Sequence, residues 1–305
     1  MQQYIIRRVL WLIPVLFFIS LITFALMHSV PGGPWDREKK LAPSVVENLN
    51  ARYGLDKPLA EQYLSFVGNA LHGDLGVSFS YQDRKVTSVI LEGLPVTATL
   101  AVSALLVAML VGIPLGILAA LKQNSWADYL CLFFATVGAS VPNFVMAMIL
   151  IIVFSVGLHW LPTNGWGTWQ KAVMPALALG LYHAALLARM TRASMIEALR
   201  QDFVRTARAK GLVEHLILFR HIIKNALIPV VTILGPVAAG LIAGSFIIES
   251  IFAVPGVGKF FIQGIFARDY GLMMGTTLFY AVVIALANLA VDILYGFIDP
   301  RIRYQ

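Results

Sequence analysis

The sequence predicts an all-α integral membrane protein with six transmembrane helices. Hydrophobic residues make up 59% of its 305 residues and charged residues 13%, against about 45–50% and about 25% in soluble domains. Long apolar runs recur along the chain, and many of its arginines and lysines fall in the short segments between alternate runs. A soluble fold of this length could not bury so much apolar surface, so lipid must be the solvent for much of the chain.

The number of spans follows from the length of the apolar runs. A hydrocarbon core about 30 Å thick requires roughly 20 residues at a helical rise of 1.5 Å. Six segments are long and apolar enough, with few charged residues inside them. They cover approximately residues 9–30, 96–121, 130–158, 173–190, 226–248 and 274–298.

The positions of the arginines and lysines predict the orientation of these spans. Arg7 and Arg8 precede the first span, Lys122 follows the second, and Arg301 and Arg303 follow the sixth. Eight further basic residues lie between residues 189 and 224, after the fourth span. With six spans all of these positions share one side, which the positive-inside rule assigns to the cytoplasm. Both termini are therefore predicted to be cytoplasmic.

The opposite side receives one long segment, an extracytoplasmic insert over residues 31–95. Ser44 followed by Glu47 has the spacing of a helix capping box, and Gly54 is a suitable end for that helix. A second helix is expected after Pro58, and the alternation of residues 77–81 predicts a short strand. The insert could be a cap over the spans or a surface that meets a substrate-delivering protein, and the residues alone leave both open.

Signatures of catalysis are missing from the sequence. The nearest match to a phosphate-binding loop, residues 256–260, lacks the upstream glycine, and Phe260 stands where a magnesium-binding hydroxyl is required. No zinc pair of the H-E-x-x-H type and no G-x-S-x-G nucleophile turn occur. The single cysteine, Cys131, excludes a cysteine-based metal site within one chain. We therefore expect a non-catalytic chain that binds no metal or cofactor.

A few polar residues inside the predicted spans are candidates for a pore or gate, because ionisable groups in hydrocarbon are costly. Asp292 could form a structural ion pair with Arg189 or Arg192, or take part in transport. His183 could line a pathway or satisfy a hydrogen bond between helices. The candidates are Ser140, Asn143, His183, Glu249 and Asp292.

The segment between the fourth and fifth spans, at about residues 191–225, is strongly basic and reads as helical with a break at Gly211. An ordinary positively charged loop on lipid phosphates would have this composition. Short exposed apolar faces, formed by residues such as Leu212 and Phe219, argue instead for a protein partner.

Residues 205–211 (RTARAKG) and 225–229 (NALIP) resemble the coupling-loop motif of ATP-binding-cassette importer permeases, in the version of the dipeptide and oligopeptide branch. Arg205 occupies the place of the leading glutamate of the general motif, a departure typical of that branch. The resemblance extends along almost the whole chain and is closest to the B-type membrane subunit of oligopeptide permeases. Its further matches are residues 31–34 (PGGP), 73–76 (GDLG), 161–162 (LP), 249–252 (ESIF), 255–258 (PGVG), 268–270 (RDY) and 299–304 (DPRIRY).

The resemblance implies a type I importer permease fold, with a first segment at 1–30, the insert at 31–95 and a five-helix core at 96–305. It implies a second, related permease subunit, two cytosolic ATPases that use ATP and magnesium, an extracytoplasmic peptide-binding protein and a bacterial inner membrane. A short coupling helix near residues 211–219 would sit in a groove of an ATPase. The residues implied in coupling are Arg205, Thr206, Ala207, Gly211, Leu212, Glu214, Leu216, Phe219 and Pro229.

The implied function is the import of oligopeptides or dipeptides, with this chain forming half of the pore. Another cargo within the same family, such as glutathione or a nickel chelate, is the first alternative. An ion-coupled secondary carrier is the second, although the sequence shows no convincing repeat between its halves.

Overall fold

The computed structural model describes residues 2–35, 42–81 and 84–298, and the side chains among them from residue 6 to residue 290. All regular elements in these ranges are helices. They are α1 (Gln2–Ser29), α2 (Pro43–Tyr53), α3 (Leu59–Leu71), α4 (Val86–Leu121), α5 (Trp126–Ser140), α6 (Asn143–Leu150, continued as a π-helix over Ile151–Gly157), α7 (Trp169–Leu199), α8 (Asp202–Ala209), α9 (Glu214–Leu216, continued by a π-helix over Ile217–Ile222), α10 (Ile223–Gly244), α11 (Phe246–Ile251), α12 (Val257–Phe266) and α13 (Tyr270–Ile298).

Five of these helical stretches are long and apolar enough to cross a membrane: Ile6–Ser29, Val86–Leu121, Trp169–Leu199, Glu214–Gly244 and Tyr270–Ala290. The predicted third span is not one straight helix, because α5 and the helix over Asn143–Gly157 meet at an angle of 106°. Pro142 causes this break, since its ring disfavours helical conformation in the preceding residue, and Val141 is extended. The pair counts as a sixth span if it is taken together.

The chain folds as two compact units, which are described separately below. Among the described residues, the first consists of those within 2–97 and 255–289. The second consists of residues 98–254 and 290–298.

In the first unit, α1 and α13 run antiparallel. The end of α1, at Phe24 and His28, borders the same pocket as Tyr270 at the start of α13, whereas Ile13 borders a groove with Val282. The start of α4 packs on α12 and α13 through a buried cluster of Val86, Val89, Ile90, Val257, Leu272 and Tyr280. Gly275 permits the approach, because a Cβ there would lie 2.5 Å from Cγ1 of Val86, and a Cβ at Gly271 would clash with the carbonyl oxygen of Val77.

The same unit corrects two details predicted for the insert. Helix α2 begins with Pro43, with Ala42 at its N-cap and no side-chain capping bond, so the capping box at Ser44 is wrong. Proline is favoured at the first helical position, so the helix starts one residue before Ser44 and Ser44 lies inside it rather than at its N-cap. The predicted strand at residues 77–81 is also wrong, because Val77 forms only an isolated bridge with Lys85. The end of α2 at Gly54, with φ of 68°, is confirmed.

The second unit is built around α7, which packs closely against α4. A Cβ at Gly112 would lie 2.5 Å from the carbonyl oxygen of Ala184, and one at Gly116 would lie 2.5 Å from that of Ala188. Small residues allow helix backbones to approach in this way without side chains between them. The residue numbers of the paired positions increase in the same direction along both helices, so α4 and α7 run parallel. The bent pair α5–α6 must therefore return the chain from the end of α4 to the start of α7.

Candidate coupling surface and polar residues of the spans

The segment that the sequence marks as a coupling loop contains one separate short helix. Helix α7 continues to Leu199, and α8 follows over Asp202–Ala209. The chain then turns at Gly211, where φ is 76°. From Glu214 to Gly244 it is helical without a break, through α9, the π-helix and α10. The loop of 35 residues expected at 191–225 is thus a short helix held between the ends of two long ones.

The expected short helix at residues 211–219 is consequently wrong. Gly211 and Leu212 lie in the turn, whereas Glu214, Leu216 and Phe219 belong to the first turns of the long helix that continues as α10. No glycine or proline stands between Val213 and Pro229 to end that helix. Pro229 lies inside α10 and is exposed. The separate helix is α8, which carries Arg205, Thr206 and Ala207.

One side of α8 anchors it to the second unit. Val204 and Ala207 are buried, and they belong to a hydrophobic cluster built from α4, α7 and the start of the long fifth span. Because α8 is fixed to the ends of three helices, a force on α8 acts on those helices directly. The other members of the cluster are Ala120, Met195, Ala198, Ile217, Ile222 and Ala226.

The opposite side of α8 is charged and open. Arg205 lies 3.5 Å from Asp202, with the two side chains 80% and 95% exposed. The Thr206 hydroxyl is exposed and donates a hydrogen bond to the carbonyl oxygen of Asp202. Such exposed pairs contribute little to stability. These side chains are therefore available to a partner.

The turn after α8 is closed by an ion pair. Nε of Arg208 donates a hydrogen bond of 2.8 Å to Glu214, and Nη2 donates a second of 3.2 Å. The carboxylate of Glu214 raises the pKa of the Arg208 guanidinium, which stays charged at physiological pH. The pair is exposed and links the end of α8 to the start of the next helix, while the buried contacts of Val204 and Ala207 hold α8 in place. Beside it, Val213 and Phe219 are exposed apolar residues.

Two of the predicted pore residues flank the bend between α5 and α6. The Ser140 hydroxyl donates to the carbonyl oxygen of Thr136 within its own helix and is exposed. Asn143 is the first residue of α6 and is partly buried. A cavity at the inside of the bend is lined by apolar and small residues such as Phe134, Gly138 and Ala185. The polar break that the sequence shows is thus a change of helix direction.

Glu249 is fully buried on α11, close to the end of α10. Its carboxylate accepts a hydrogen bond of 2.6 Å from the Ser245 hydroxyl. The backbones of the two residues are also hydrogen-bonded, because the Glu249 amide donates to the carbonyl oxygen of Ser245. Glu249 therefore belongs to the packed interior where the fifth span ends.

His183 lies on α7 and is partly buried. Its Cε1 atom would be 3.9 Å from a Cβ at Gly240, so this part of α7 is adjacent to α10. Among the residues that the structure describes, Nδ1 of His183 is buried without a hydrogen-bond partner. The hydrogen bond between helices that the sequence suggested for this histidine is not formed by that nitrogen.

Asp292 lies in α13, and its side chain is outside the described residues. One of its two expected partners is engaged elsewhere. Arg192 donates two hydrogen bonds of 2.7 Å each to Asp128, in the first turn of α5. The other, Arg189, is exposed. The ion pair expected for Asp292 therefore lies outside the described residues, and among the described residues Arg192 pairs with Asp128.

Sequence reasoning missed two buried aspartates. Asp128 is 1% exposed and also accepts a hydrogen bond from the Asn124 amide. Asp269 precedes α13 and accepts hydrogen bonds from the Ser78 hydroxyl, the Ser80 amide and the Leu272 amide. For Asp128 the available signal was an acidic residue in the first turn of an apolar helix, which is the favoured position for negative charge.

Comparison with known proteins gives the class of this chain. Residues 112–304 match the family described as binding-protein-dependent transport system inner membrane component, and residues 1–101 match its N-terminal companion. The solved structures with this fold include an amino acid ABC transporter, with a TM-score of 0.54 and 18% identity over 68% of this chain and 93% of that one. An inward-facing MetNI methionine ABC transporter gives 0.59 and 17%, over 69% and 96%. The chain belongs to the permease subunits of ATP-binding-cassette importers.

Curated relatives define the branch within that family. The oligopeptide transport system permease protein OppB of Salmonella typhimurium is 44% identical over the full length of both chains, and OppB of Escherichia coli K12 is 42% identical over the full length. The dipeptide transport system permease protein DppB of Bacillus subtilis is 40% identical over 99% of this chain and 98% of the relative. These matches place the chain in the dipeptide and oligopeptide branch, among the B-type subunits.

Proposed function

We propose that this chain is the B-type permease subunit of an ATP-driven importer of oligopeptides or dipeptides, and that it forms half of the translocation pore. The observation that carries the proposal is the full-length identity of 40–44% to permeases of those two systems. The same relatives favour peptides over glutathione or nickel chelates. The long apolar helices provide the membrane-spanning part of such a subunit.

The chain itself is non-catalytic in this proposal and binds no cofactor. ATP and magnesium are used by two cytosolic ATPase subunits, and a second, related permease completes the pore. An extracytoplasmic protein delivers the peptide. The subunit lies in the bacterial inner membrane with both termini in the cytoplasm, so that the basic segment at residues 189–224 faces the ATPases.

Contact with an ATPase falls on α8 and the turn that follows it. The support is the combination of an open charged face at Arg205 and Thr206 with a buried face at Val204 and Ala207. A movement of the ATPases would reach α4, α7 and the fifth span through that cluster, as a rigid-body displacement. Gly211, Leu212, Glu214, Leu216 and Phe219 border this surface, and Pro229 would allow the fifth span to bend. Ser140, Asn143, His183, Glu249 and Asp292 remain the candidates for a pore or gate.

The assembly is tested by purifying the tagged chain in mild detergent and identifying the proteins that accompany it. A second six-span subunit and two ATPases in stoichiometric amounts are the expected result. Transport by the chain alone after reconstitution would contradict the proposal and favour an ion-coupled carrier.

The coupling surface is tested with the double variant Arg205→Ala/Asp202→Ala, since both side chains are exposed and contribute little to stability. We expect peptide-stimulated ATP hydrolysis and peptide uptake to fall together while the chain still reaches the membrane. The matched control is Lys57→Ala/Glu61→Ala, which removes an exposed ion pair in the first unit. Uptake that responds equally to both double variants would show that α8 is not the contact.

A further inference from the structure

Helix α3 belongs to the segment that the sequence assigns to an aqueous insert, yet it packs along the apolar body of α1. The ring of Tyr63 lies between Phe17 and Phe24, with centroid distances of 6.2 and 5.3 Å. Its hydroxyl is 2.9 Å from Oγ of Ser20. Ser20 precedes the end of α1 at Ser29 by about 13 Å along the helix axis. The middle of α3 is therefore far from the end of the membrane-spanning helix.

The two helices run antiparallel in a continuous register. The N-terminal half of α3 shares an apolar groove with residues 21–29 of α1, and the C-terminal half shares a second groove with residues 13–20. Thirteen residues of α3 span about 20 Å. Helix α3 thus accompanies α1 from its end to about the middle of the apolar run.

The surroundings of α1 decide which solvent α3 meets. Only 11% of the apolar window of α1 is buried within the described structure. The rest must be covered by hydrocarbon or by another membrane subunit, and not by water, if α1 crosses the bilayer. A helix that lies against α1 at the same depth shares that environment on its outer side.

The amphipathic pattern of α3 fits this position. Leu64 and Leu71, two turns apart on one edge of its apolar arc, are 69% and 82% exposed. Its polar arc, with Gln62, Ser65 and Asn69, lines a pocket inside the same unit together with Arg52. The polar side chains are therefore turned away from the edge that carries the two leucines.

We infer that α3 is immersed in one leaflet of the bilayer, with Leu64 and Leu71 in contact with lipid acyl chains. The segment after the first span is then not a wholly aqueous insert. It enters the membrane beside α1 and returns, and the pocket on its polar side opens toward water.

The experiment uses the full transporter in nanodiscs of phosphatidylethanolamine and phosphatidylglycerol. The native cysteine is first removed as Cys131→Ala. Single cysteines are then introduced as Leu64→Cys and Leu71→Cys, with Ser65→Cys and Asn69→Cys as matched controls on the same helix. Each is labelled with a nitroxide, and its collisions with oxygen and with the water-soluble reagent NiEDDA are measured by electron paramagnetic resonance.

Labels at 64 and 71 should collide mainly with oxygen, and labels at 65 and 69 mainly with NiEDDA. The ratio of oxygen collisions to NiEDDA collisions should be larger at 71 than at 64. Equal accessibility of 64 and 65 to NiEDDA would place α3 in water and overturn the inference. Protection of 64 and 71 from both reagents would also overturn it, because a protein surface rather than lipid would then cover this edge. All four sites are exposed or at the surface of a pocket, so labelling does not require the helix to unfold.

Discussion

Arg192 of α7 holds Asp128 at the start of α5 through two parallel hydrogen bonds of 2.7 Å each. Asp128 is 1% exposed, and the Asn124 amide satisfies a further lone pair. These bonds join the turn before α5, the start of α5 and the last third of α7. Bidentate geometry of this kind is specific to arginine.

Removing one partner of this pair should be costly, because the other charge stays in a largely buried place. We expect Asp128→Ala to destabilise the chain by about 3 kcal/mol and to lower the Tm of the purified transporter. The Tm of Arg192→Lys should fall between those of wild type and Asp128→Ala, since lysine keeps the charge but cannot form the two parallel hydrogen bonds. The control is Asp202→Ala, whose ion pair is exposed. An equal Tm for the two aspartate variants would contradict this reading.

Gly116 should not tolerate even a methyl group. A Cβ at this position would lie 2.5 Å from the carbonyl oxygen of Ala188 and 2.6 Å from the Cβ of Thr191. We expect Gly116→Ala to force α4 and α7 apart at a cost of about 1–3 kcal/mol. The matched control is Gly68→Ala in α3, where no atom lies within 4 Å and alanine should favour the helix by up to about 1 kcal/mol. Thermal unfolding of both variants measures the difference, and its absence would refute the close packing.

Gly211 is required for its backbone conformation rather than for space. Its φ is 76°, and no atom lies within 4 Å of where a Cβ would stand. Gly211→Val should cost about 1–2 kcal/mol in this turn and displace α8 from the helix that begins at Glu214. Gly211→Asn is the control, because asparagine tolerates left-handed conformation better than other residues. Peptide uptake should fall with valine and largely survive with asparagine; equal losses would indicate a contact made by the glycine itself.

Asp269 should organise the entry into α13. It accepts hydrogen bonds from Ser78 at 2.5 Å, from the Ser80 amide at 2.8 Å and from the Leu272 amide at 3.0 Å. Asp269→Ala leaves these buried donors unsatisfied, at a cost of about 3 kcal/mol, and should speed amide exchange at residues 77–81 and 270–273. Ser78→Ala removes only one donor and serves as the milder comparison. Unchanged exchange in the alanine variant at 269 would show that the segment is held by other contacts.

Much of the architecture was predictable, because each long span is an uninterrupted apolar run whose length is fixed by the thickness of the bilayer. The predicted spans agree with the observed helices except at the third, where Pro142 turns a single run into two helices. The short helix between the fourth and fifth spans was misplaced, because Gly211 marks a turn but does not reveal on which side the isolated helix lies. The capping box at Ser44 was wrong because Pro43 already starts that helix.

The sequence by itself determined the class of the protein, since composition, span length and the order of short motifs are local properties of the chain. Tertiary structure decided which side chains meet. Asp128 pairs with Arg192, and Asp269 pairs with Ser78, across separations along the chain that no spacing rule encodes. It also decided that α3 lies against α1. The physical reason is that partners in a helical membrane protein are chosen by the register of packed helices, which depends on many weak contacts at once.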